Sequence, residues 1–353
     1  MNGLMHLSAN DAVRWTEPIL HAARLDRVPE VQIPDPNTRS AIKSWKKLLS
    51  SPLPMNNKKH YAAAIAAFVG WGFFSIPLRA LQHYPAGEIL YFRILFSALI
   101  MLVIVFAFKR EDWRKDWSAL NALSKPERNK VILLTLAGGV LLSVNWLLFI
   151  YTVNNINIRT ASFAYLICPV LTAILAYFLL GEQLALFQWI AVGICALSCV
   201  LIGYQSAPEL GYSLFTALSY ALYLVSQRKT QGFDRMISLG IQVIFSLMIL
   251  TVFFGQLVDE VPVAGKFYGI IIMIAGLFTV LPLFLNLYAL NRINSGTIGI
   301  LMYLNPLFNF SIAFLVFHET LNFAQLVGYS AIVAALVVFN YRNFGKMRAA
   351  LKT

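Results

Sequence analysis

The chain has few charged residues for its length. Of its 353 residues only 12% are Asp, Glu, Lys or Arg, whereas 59% are hydrophobic. Soluble domains carry about 25% charged residues, so this composition argues against a soluble multidomain enzyme. The dominance of apolar residues also excludes a disordered chain. The low charge content therefore predicts a membrane protein.

Cysteine and catalytic motifs are also scarce. The three cysteines lie in apolar runs, and no His, Asp or Glu joins Cys195 and Cys199 on their shared helix face. We therefore expect neither a disulfide framework nor a metal site. The five histidines are isolated from one another, and no Gly-x-x-x-x-Gly-Lys-Ser/Thr motif is present. These absences disfavour a lipid-acting membrane enzyme and exclude an ATP-driven pump, so we predict a non-enzyme without a cofactor.

Ten apolar segments follow one another along the chain. A helix needs about 20 mostly apolar residues to cross the ~30 Å hydrocarbon core of a bilayer. Windows of about 19 residues place the segments at 61–81, 88–108, 131–151, 160–180, 186–204, 210–227, 237–255, 267–290, 296–316 and 323–341. Because lipid requires every backbone group to be bonded within its own segment, we expect helices. The predicted fold class is an all-α membrane protein with ten transmembrane helices.

Basic residues concentrate on one side of this predicted topology. With a cytoplasmic N-terminus, most Lys and Arg residues fall in cytoplasmic loops, whereas the opposite side holds Arg79, Arg159 and Lys266. The asymmetry predicts that both termini are cytoplasmic. The formal net charge of +12 is then a topology signal, and the expected partner is a lipid bilayer with no nucleic acid.

The first 57 residues differ from the rest of the chain. They are polar, contain several prolines and include no apolar run of signal-peptide length. We predict a weakly ordered extension over residues 1–57 and a short basic tail over 346–353. A second hypothesis is that translation begins at Met55, which opens the segment Met-Asn-Asn-Lys-Lys-His.

The chain contains an internal repeat at an offset of 137 residues. Residues 151–160 (YTVNNINIRT) match residues 288–297 (YALNRINSGT), and the match continues without a gap until Glu182 meets Glu319 and beyond. A gap-free match over three helices is hard to obtain by chance.

The repeat predicts two five-helix halves, residues 58–205 and residues 206–345. Because five is odd, the second half must cross the membrane upside down relative to the first. Inverted repeats are typical of secondary transporters, in which the substrate site lies near the membrane midplane between the halves. A duplicated scaffold without transport activity is the alternative.

Five segments carry a family resemblance. They are residues 88–93 (EILYFR), 145–155 (NWLLFIYTVNN), 161–169 (ASFAYLICP), 181–184 (GEQL) and 303–306 (YLNP). Together they resemble the signatures of RarD-type permeases, which belong to the EamA branch of the drug/metabolite transporter superfamily. The resemblance implies ten helices in two inverted EamA-type halves, a bacterial inner membrane, and export of metabolites or permease activity linked to chloramphenicol sensitivity.

Arg93 is the one charged residue that lies well inside an apolar run. A basic residue at the centre of a membrane helix costs about 2.5–3.5 kcal/mol on insertion scales, and less near an interface. The functional interpretation is a cation that lines a cavity and meets a carboxylate or phosphate group. The alternative is a side chain that snorkels outward or pairs with Glu88 or Glu319.

Other polar and aromatic residues of the predicted spans are candidates for the same cavity. Amides and phenols at membrane depth face the helix bundle, where they bind a substrate or a neighbouring helix, and aromatic rings form cavity walls, core or interfacial belt. These candidates are Trp71, Asn145, Tyr151, Tyr165, Asn286, Tyr288, Tyr303 and Asn309.

Two prolines and three glutamates complete the candidates. Pro169 and Pro306 occupy matching positions in the two halves, where a kink would act as a gating hinge or shape the packing. Glu88, Glu182 and Glu319 lie at helix ends. Their expected roles are capping and loop ordering, or coupling to protons.

The sequence thus predicts a secondary transporter that moves a small polar or amphipathic metabolite, or a drug-like compound, outward across the inner membrane by alternating access. A scaffold or regulatory membrane subunit is the alternative, followed by a lipid-acting membrane enzyme. The oligomeric state is open between a monomer and a homodimer.

Overall fold

The structure is a computed structural model that describes residues 58–230, 232–290, 292–293, 298 and 301–341. The extension predicted at 1–57 and the basic tail predicted at 346–353 lie outside the described residues.

The described ranges are all-helical and contain no strand. In chain order, the helices are α1 (Lys58–Gly72), α2 (Ser75–Arg79), α3 (Ala86–Phe108), α4 (Arg110–Ala122), α5 (Lys125–Asn155), α6 (Ile158–Leu180), α7 (Leu186–Gln205), α8 (Ala207–Lys229), α9 (Arg235–Val252), α10 (Phe254–Leu257), α11 (Gly265–Ala275), α12 (Leu281–Leu290), α13 (Leu304–Leu315) and α14 (Phe323–Phe339). A π-helical segment, Gly276–Val280, joins α11 to α12.

Within the part of the chain that the structure describes, six helices are long and apolar enough to cross a membrane. They are Lys59–Arg79, Ala86–Phe108, Lys125–Asn155, Ile158–Leu180, Arg235–Val252 and Gly265–Asn286. Three shorter apolar helices are Leu186–Ile202, Leu304–Leu315 and Phe323–Phe339. Each of the ten predicted apolar segments falls on one or more helices, which confirms the all-helical prediction.

Polar residues set the ends of several helices. The Ser124 N–H and hydroxyl group both donate to the Glu127 carboxylate at the start of α5, 3.3 Å and 2.7 Å away. The Asn157 side chain accepts from the Thr160 N–H at 2.7 Å before α6. Asp234 accepts from two backbone N–H groups at the start of α9. These side chains satisfy N–H groups that a helix leaves without partners at its first turn.

The helix α4 was not among the predicted segments, because hydropathy windows detect apolar runs and this helix is polar. It follows α3 after one residue and has no buried residue. Trp113, Trp117 and Leu120 recur at helical spacing along it, so α4 is an amphipathic surface helix.

Two tight turns of the same kind end α6 and α13. Gly181 and His318 have positive φ angles of 70° and 53°. In each turn, the N–H of the next residue, Glu182 or Glu319, donates to the carbonyl of an alanine near the helix end, at 3.3 Å and 2.9 Å. Such left-handed caps satisfy the last carbonyls of a helix.

The helices pack in a regular scheme. Helix α8 packs against α5 and α6, and α1 packs against α12 and α13. Further contacts join α3 to α9, α6 to α13, and α7 to α14. The largest buried apolar cluster includes Phe74, Ile94, Trp146, Phe149 and Ile271, and it surrounds the cavity that contains Arg93.

Candidate functional site

A cavity of about 80 Å³ lies between helices of the first predicted half, residues 58–205, and helices of the second, residues 206–345. This is room for several water molecules, since one needs roughly 10–15 Å³ on the same measure. Its walls are mainly aromatic, with Trp71, Phe74, Trp146, Phe149, Tyr165, Tyr220 and Tyr223. Arg93, Thr279 and Asn305 add polar groups.

Arg93 lies at the wall of this cavity and contacts two aromatic rings. The side chain is 3% exposed, and its guanidinium carbon lies 4.7 Å from the ring centroid of Phe74 and 4.5 Å from that of Trp146. Stacking of this kind attracts a cation to the ring faces. Nε donates to the Thr279 hydroxyl oxygen at 3.1 Å, while buried Nη1 has no hydrogen-bond partner within the described part of the chain.

The π-helical segment places Thr279 for this contact. The Thr279 hydroxyl donates to the carbonyl of Ile274, five residues back, at 3.0 Å. Single π turns inside helices recur at functional sites. Here the wider turn brings a hydroxyl oxygen to Nε of the arginine, while Nη1 has no partner among the described residues.

A chain of polar groups leads from α2 to Asn305 at the cavity wall. The Ser75 hydroxyl donates to Oδ1 of Asn309, and Nδ2 of Asn309 donates to Oδ1 of Asn305 at 3.2 Å. Because its oxygen accepts from Asn309, Asn305 keeps its amide N–H groups as donors at the cavity wall. The predicted candidate Asn309 is 1% exposed and acts from behind Asn305.

Two more predicted candidates are linked at the cavity wall. The Tyr165 hydroxyl donates to Oδ1 of Asn145 at 3.0 Å, and Nδ2 of Asn145 donates to the Thr216 carbonyl at 2.8 Å. Asn145 is fully buried, so it ties α5 to α8 and orients Tyr165, which lines the cavity. Trp71 also lines the cavity and donates from Nε1 to the Phe278 carbonyl at 3.1 Å.

The remaining aromatic and amide candidates lie away from these walls. Tyr151 stacks on Tyr212 and Tyr288 stacks on His60, and both tyrosines are more than a third exposed. The Tyr303 hydroxyl accepts from the Asn340 amide at 3.3 Å.

Oδ1 of the candidate Asn286 is buried without a hydrogen-bond partner in the described ranges. Asn286 is not one of the residues that form the cavity wall.

The two hinge candidates differ in their helical context. Pro169 lies inside α6, where its missing N–H leaves a carbonyl one turn earlier without its helix partner. Pro306 is the third residue of α13 and lies in the first turn, where a missing N–H breaks no helix hydrogen bond.

Glu319 is the centre of a largely buried network at the N-terminal end of α6. Its carboxylate accepts from the backbone N–H groups of Ile158 and Arg159 at 2.8 Å and 3.1 Å, and it pairs with Arg79 at 3.4 Å. Arg159 also pairs with Glu209 at 3.7 Å. We name Arg79, Glu319, Arg159 and Glu209 the Arg79 cluster. It joins the ends of α2, α6 and α8 to the connection after α13.

Glu182 occupies the opposite end of α6. Its carboxylate accepts from Nη1 of Arg228 at 2.7 Å and 2.9 Å. We call Glu182 and Arg228 the Arg228 pair; it joins the connection after α6 to the end of α8. The third glutamate candidate, Glu88, is 4% exposed in the first turn of α3, beside Asp259 and Glu260.

The cavity has a cation but no acid on its walls: none of the described residues that line it is Asp or Glu. In the ranges that the structure describes, no group of three or more His, Cys, Asp or Glu residues could hold a metal ion. The arrangement is therefore suited to reversible binding of a small molecule, with hydrogen-bond donors and aromatic faces as its recognition groups.

Sequence reasoning identified Arg93, Trp71 and Tyr165 but missed Phe74, Thr279 and Asn305. Gly276 and Thr279 interrupt an apolar run and were the signal available for the π turn. No sequence signal indicated which aromatic residues would flank the arginine, because the rings come from helices far apart in the chain.

Comparison with known proteins gives a consistent result. The model of the EamA-like transporter family matches twice, at residues 58–204 and 208–341. The uncharacterized transporter YojE of Bacillus subtilis strain 168 is 30% identical over 298 residues, which are 83% of this chain and 97% of the relative.

The Protein RarD of Streptomyces exfoliatus is 30% identical over 294 residues, which are 81% of this chain and 90% of the relative. A solved crystal structure has the same fold, with a TM-score of 0.54 and 13% identity; the match covers 79% of this chain and 95% of that one. The resemblance to RarD-type permeases is thereby confirmed, as is the prediction of a multi-pass inner-membrane transporter. The chain belongs to the EamA-like transporter family.

Proposed function

We propose that the chain is a secondary transporter that exports a small polar or amphipathic metabolite by alternating access of two five-helix halves, residues 58–205 and 206–345. The observation that carries the proposal is the cavity with Arg93. Its walls come from both halves, with Trp71 and Tyr165 from the first and Tyr220 and Thr279 from the second. A cavity between repeats is where such carriers bind substrate.

The arrangement of ten spans is supported by the least apolar of the predicted segments, α8. Its polar residues Ser213, Thr216, Ser219 and Ser226 are all buried. They face neighbouring helices, so the low hydropathy of α8 does not expose polar groups to lipid.

Local structure supports the repeat at an offset of 137 residues. The left-handed turns at Gly181 and His318 correspond at this offset. So do two helix starts, where Gln188 accepts from the Ala185 N–H and Gln325 accepts from the Asn322 N–H. The two separate matches of the family model agree with the same division.

The first two spans of each half correspond at a second offset, 149 residues. It pairs Trp71 with Tyr220, both at the cavity wall, and Arg79 with Arg228, both bonded to a repeated glutamate. The difference between the two offsets matches the extra helix α4, which lies between the second and third spans of the first half.

Helix packing shows the same correspondence between the two halves. The contacts of α8 with α5 and α6 correspond to those of α1 with α12 and α13. The contacts α3–α9, α6–α13 and α7–α14 join each helix to its own counterpart. This pattern is expected of a two-fold relation between halves, and the odd number of spans per half makes the relation inverted.

In this arrangement both termini are cytoplasmic, the Arg79 cluster lies at the outer end of the bundle and the Arg228 pair at the cytoplasmic end. The Arg79 cluster closes the outer side and the Arg228 pair closes the cytoplasmic side. During the cycle, Glu319 separates from Arg79 when the outer side opens, and Glu182 separates from Arg228 when the cytoplasmic side opens. Pro169, inside α6, and Pro306, at the start of α13, are the hinge candidates of this cycle. Glu88 remains a candidate for proton coupling at the outer end.

A flux measurement tests this proposal. Purified protein in liposomes is expected to move members of a labelled metabolite panel, and Arg93→Gln is expected to lower that flux about tenfold or more, because a charge-assisted contact is lost. Arg110→Gln, on the exposed surface of α4, is the matched control and should retain wild-type flux.

Two results would contradict the proposal. One is the absence of flux for every member of the panel with folded wild-type protein. The other is wild-type flux in Arg93→Gln, which would remove the cavity from the transport path.

A further inference from the structure

The cavity presents a cation with one free edge. The Arg93 guanidinium lies over the rings of Phe74 and Trp146, and its Nε is bound to Thr279. What remains is the edge that carries the two Nη groups, of which Nη1 is buried without a partner among the described residues. A guanidinium edge of this kind matches two oxygens of an oxyanion in a bidentate contact.

Nothing on the cavity walls neutralises this charge. The described residues that line the cavity include no carboxylate and, besides Arg93, no Lys or Arg. A buried charge without a counter-ion is costly, and a ligand that supplies the counter-charge recovers that cost. The charge balance of the site therefore favours a ligand with a single negative charge.

The neutral polar groups point to the same ligand chemistry. Asn305 keeps its amide N–H groups as donors, since its oxygen accepts from Asn309. Tyr165 donates to Asn145, which fixes its ring against Tyr220 at a centroid distance of 5.6 Å. The donors that the wall offers are therefore the Asn305 amide and Nη1 of Arg93, and both match an acceptor-rich group such as a carboxylate or sulfonate.

The rest of the wall is aromatic and favours a flat apolar body. Trp71, Tyr220 and Tyr223 line the cavity without taking part in the arginine stack. Aromatic walls attract planar rings through stacked and edge-to-face contacts. The cavity of about 80 Å³ limits that body to a small ring system.

We infer that the transport cavity selects small organic monoanions that combine a carboxylate- or sulfonate-like group, bound by Arg93 and Asn305, with a planar apolar body against Trp71, Tyr220 and Tyr223. This inference rests on the proposed function, because it names the substrate class of the same cavity. It does not depend on the direction of transport or on the mode of coupling.

The test uses a matched pair of probes, benzenesulfonate and benzenesulfonamide. They share ring and size but differ in charge, and benzenesulfonate stays ionised, so it does not leak through bilayers as a neutral acid does. Equilibrium dialysis of the purified full-length protein in detergent measures the affinity for each. Wild-type protein is expected to bind benzenesulfonate at least about tenfold more tightly than benzenesulfonamide.

Three variants locate the selectivity. Arg93→Gln should bind the two probes with equal affinity, and Arg93→Lys should keep only part of the preference, because an ammonium group lacks the planar fork. Arg110→Gln should behave as wild type. Gel filtration and the melting temperature show whether each variant is folded; if Arg93→Gln is not, the smaller preference in Arg93→Lys carries the test.

The outcomes separate this inference from the proposed function. Selective binding of benzenesulfonate without flux in liposomes supports the inference and contradicts transport. Arg93-dependent flux of panel metabolites together with equal affinities for the two probes supports transport and overturns the inference. A preference that survives in Arg93→Gln, tighter binding of benzylammonium than of benzenesulfonate, or no benzenesulfonate binding to folded wild-type protein also overturns it.

Discussion

The two ends of α6 carry the same kind of contact in different surroundings. At the N-terminal end, the side chains of Arg79 and Glu319 are 21% and 11% exposed, whereas at the C-terminal end those of Arg228 and Glu182 are 45% and 49% exposed. The exposed pair has the shorter distance, 2.7 Å against 3.4 Å. Distance alone would therefore rank the two ends in the wrong order.

The difference lies in what else each glutamate binds. Glu319 accepts from the backbone N–H groups at the start of α6, so its charge also meets the positive end of the helix dipole. The Glu182 carboxylate binds the Arg228 guanidinium, and the side chain of Arg228 is 45% exposed. The Arg79 cluster therefore contributes to the stability of the fold. The Arg228 pair is an exposed ion pair, and separating its two side chains costs little free energy. Both sets of contacts are formed in this structure, and the Arg228 pair is the one that we expect to open more easily.

The largest expected effect comes from exchanging the charges at each end. Arg79→Glu with Glu319→Arg should destabilise the protein by about 3 kcal/mol or prevent folding, because an arginine cannot accept from the two N–H groups of α6 and lies against Arg159. Arg228→Glu with Glu182→Arg should lie within about 0.5 kcal/mol of wild type. Unfolding in mixed SDS micelles measures both. Equal losses at the two ends would contradict the distinction between them.

A smaller effect is expected from neutralising one glutamate at a time. Glu319→Gln keeps an oxygen for one helix N–H group but loses the ion pair, so we expect a loss of about 1–2 kcal/mol. Glu182→Gln is the matched variant at the other end, and its expected loss is below about 1 kcal/mol. The same unfolding measurement compares them, and a larger loss for Glu182→Gln would reverse the ranking.

The sequence predicted the contacts at the two ends of α6 only in part. The repeat placed Glu182 and Glu319 at equivalent helix ends, and the charge asymmetry assigned Arg79 and Arg228 to opposite sides. Sequence offered no means to see that Glu319 caps α6, since the carboxylate and the N–H groups are about 160 residues apart. Helix positions follow from local hydropathy, whereas such contacts depend on packing between distant helices.

The cavity residues show the same contrast between what local sequence predicts and what packing between distant helices decides. Arg93 was found because a charge in an apolar run is conspicuous, and its depth in the fold agrees with that expectation. Asn145 was expected at the cavity, but the structure places it behind Tyr165, where the Thr216 carbonyl binds its amide. A polar residue in a membrane helix signals an inward face, and the neighbour that it meets decides between ligand contact and support.

The smallest expected effect is a difference in salt dependence between the two ends. Double-mutant cycles with Arg79→Gln and Glu319→Gln, and with Arg228→Gln and Glu182→Gln, give the coupling energy of each pair. The Arg228 coupling should be about 0.5 kcal/mol at low ionic strength and should vanish near 1 M salt, where the screening length is about 3 Å. The Arg79 coupling should change little, because partial burial limits the access of ions to that cluster. A parallel decline of both couplings would show that the Arg79 cluster is as open to solvent as the Arg228 pair, and it would contradict the distinction between the two ends.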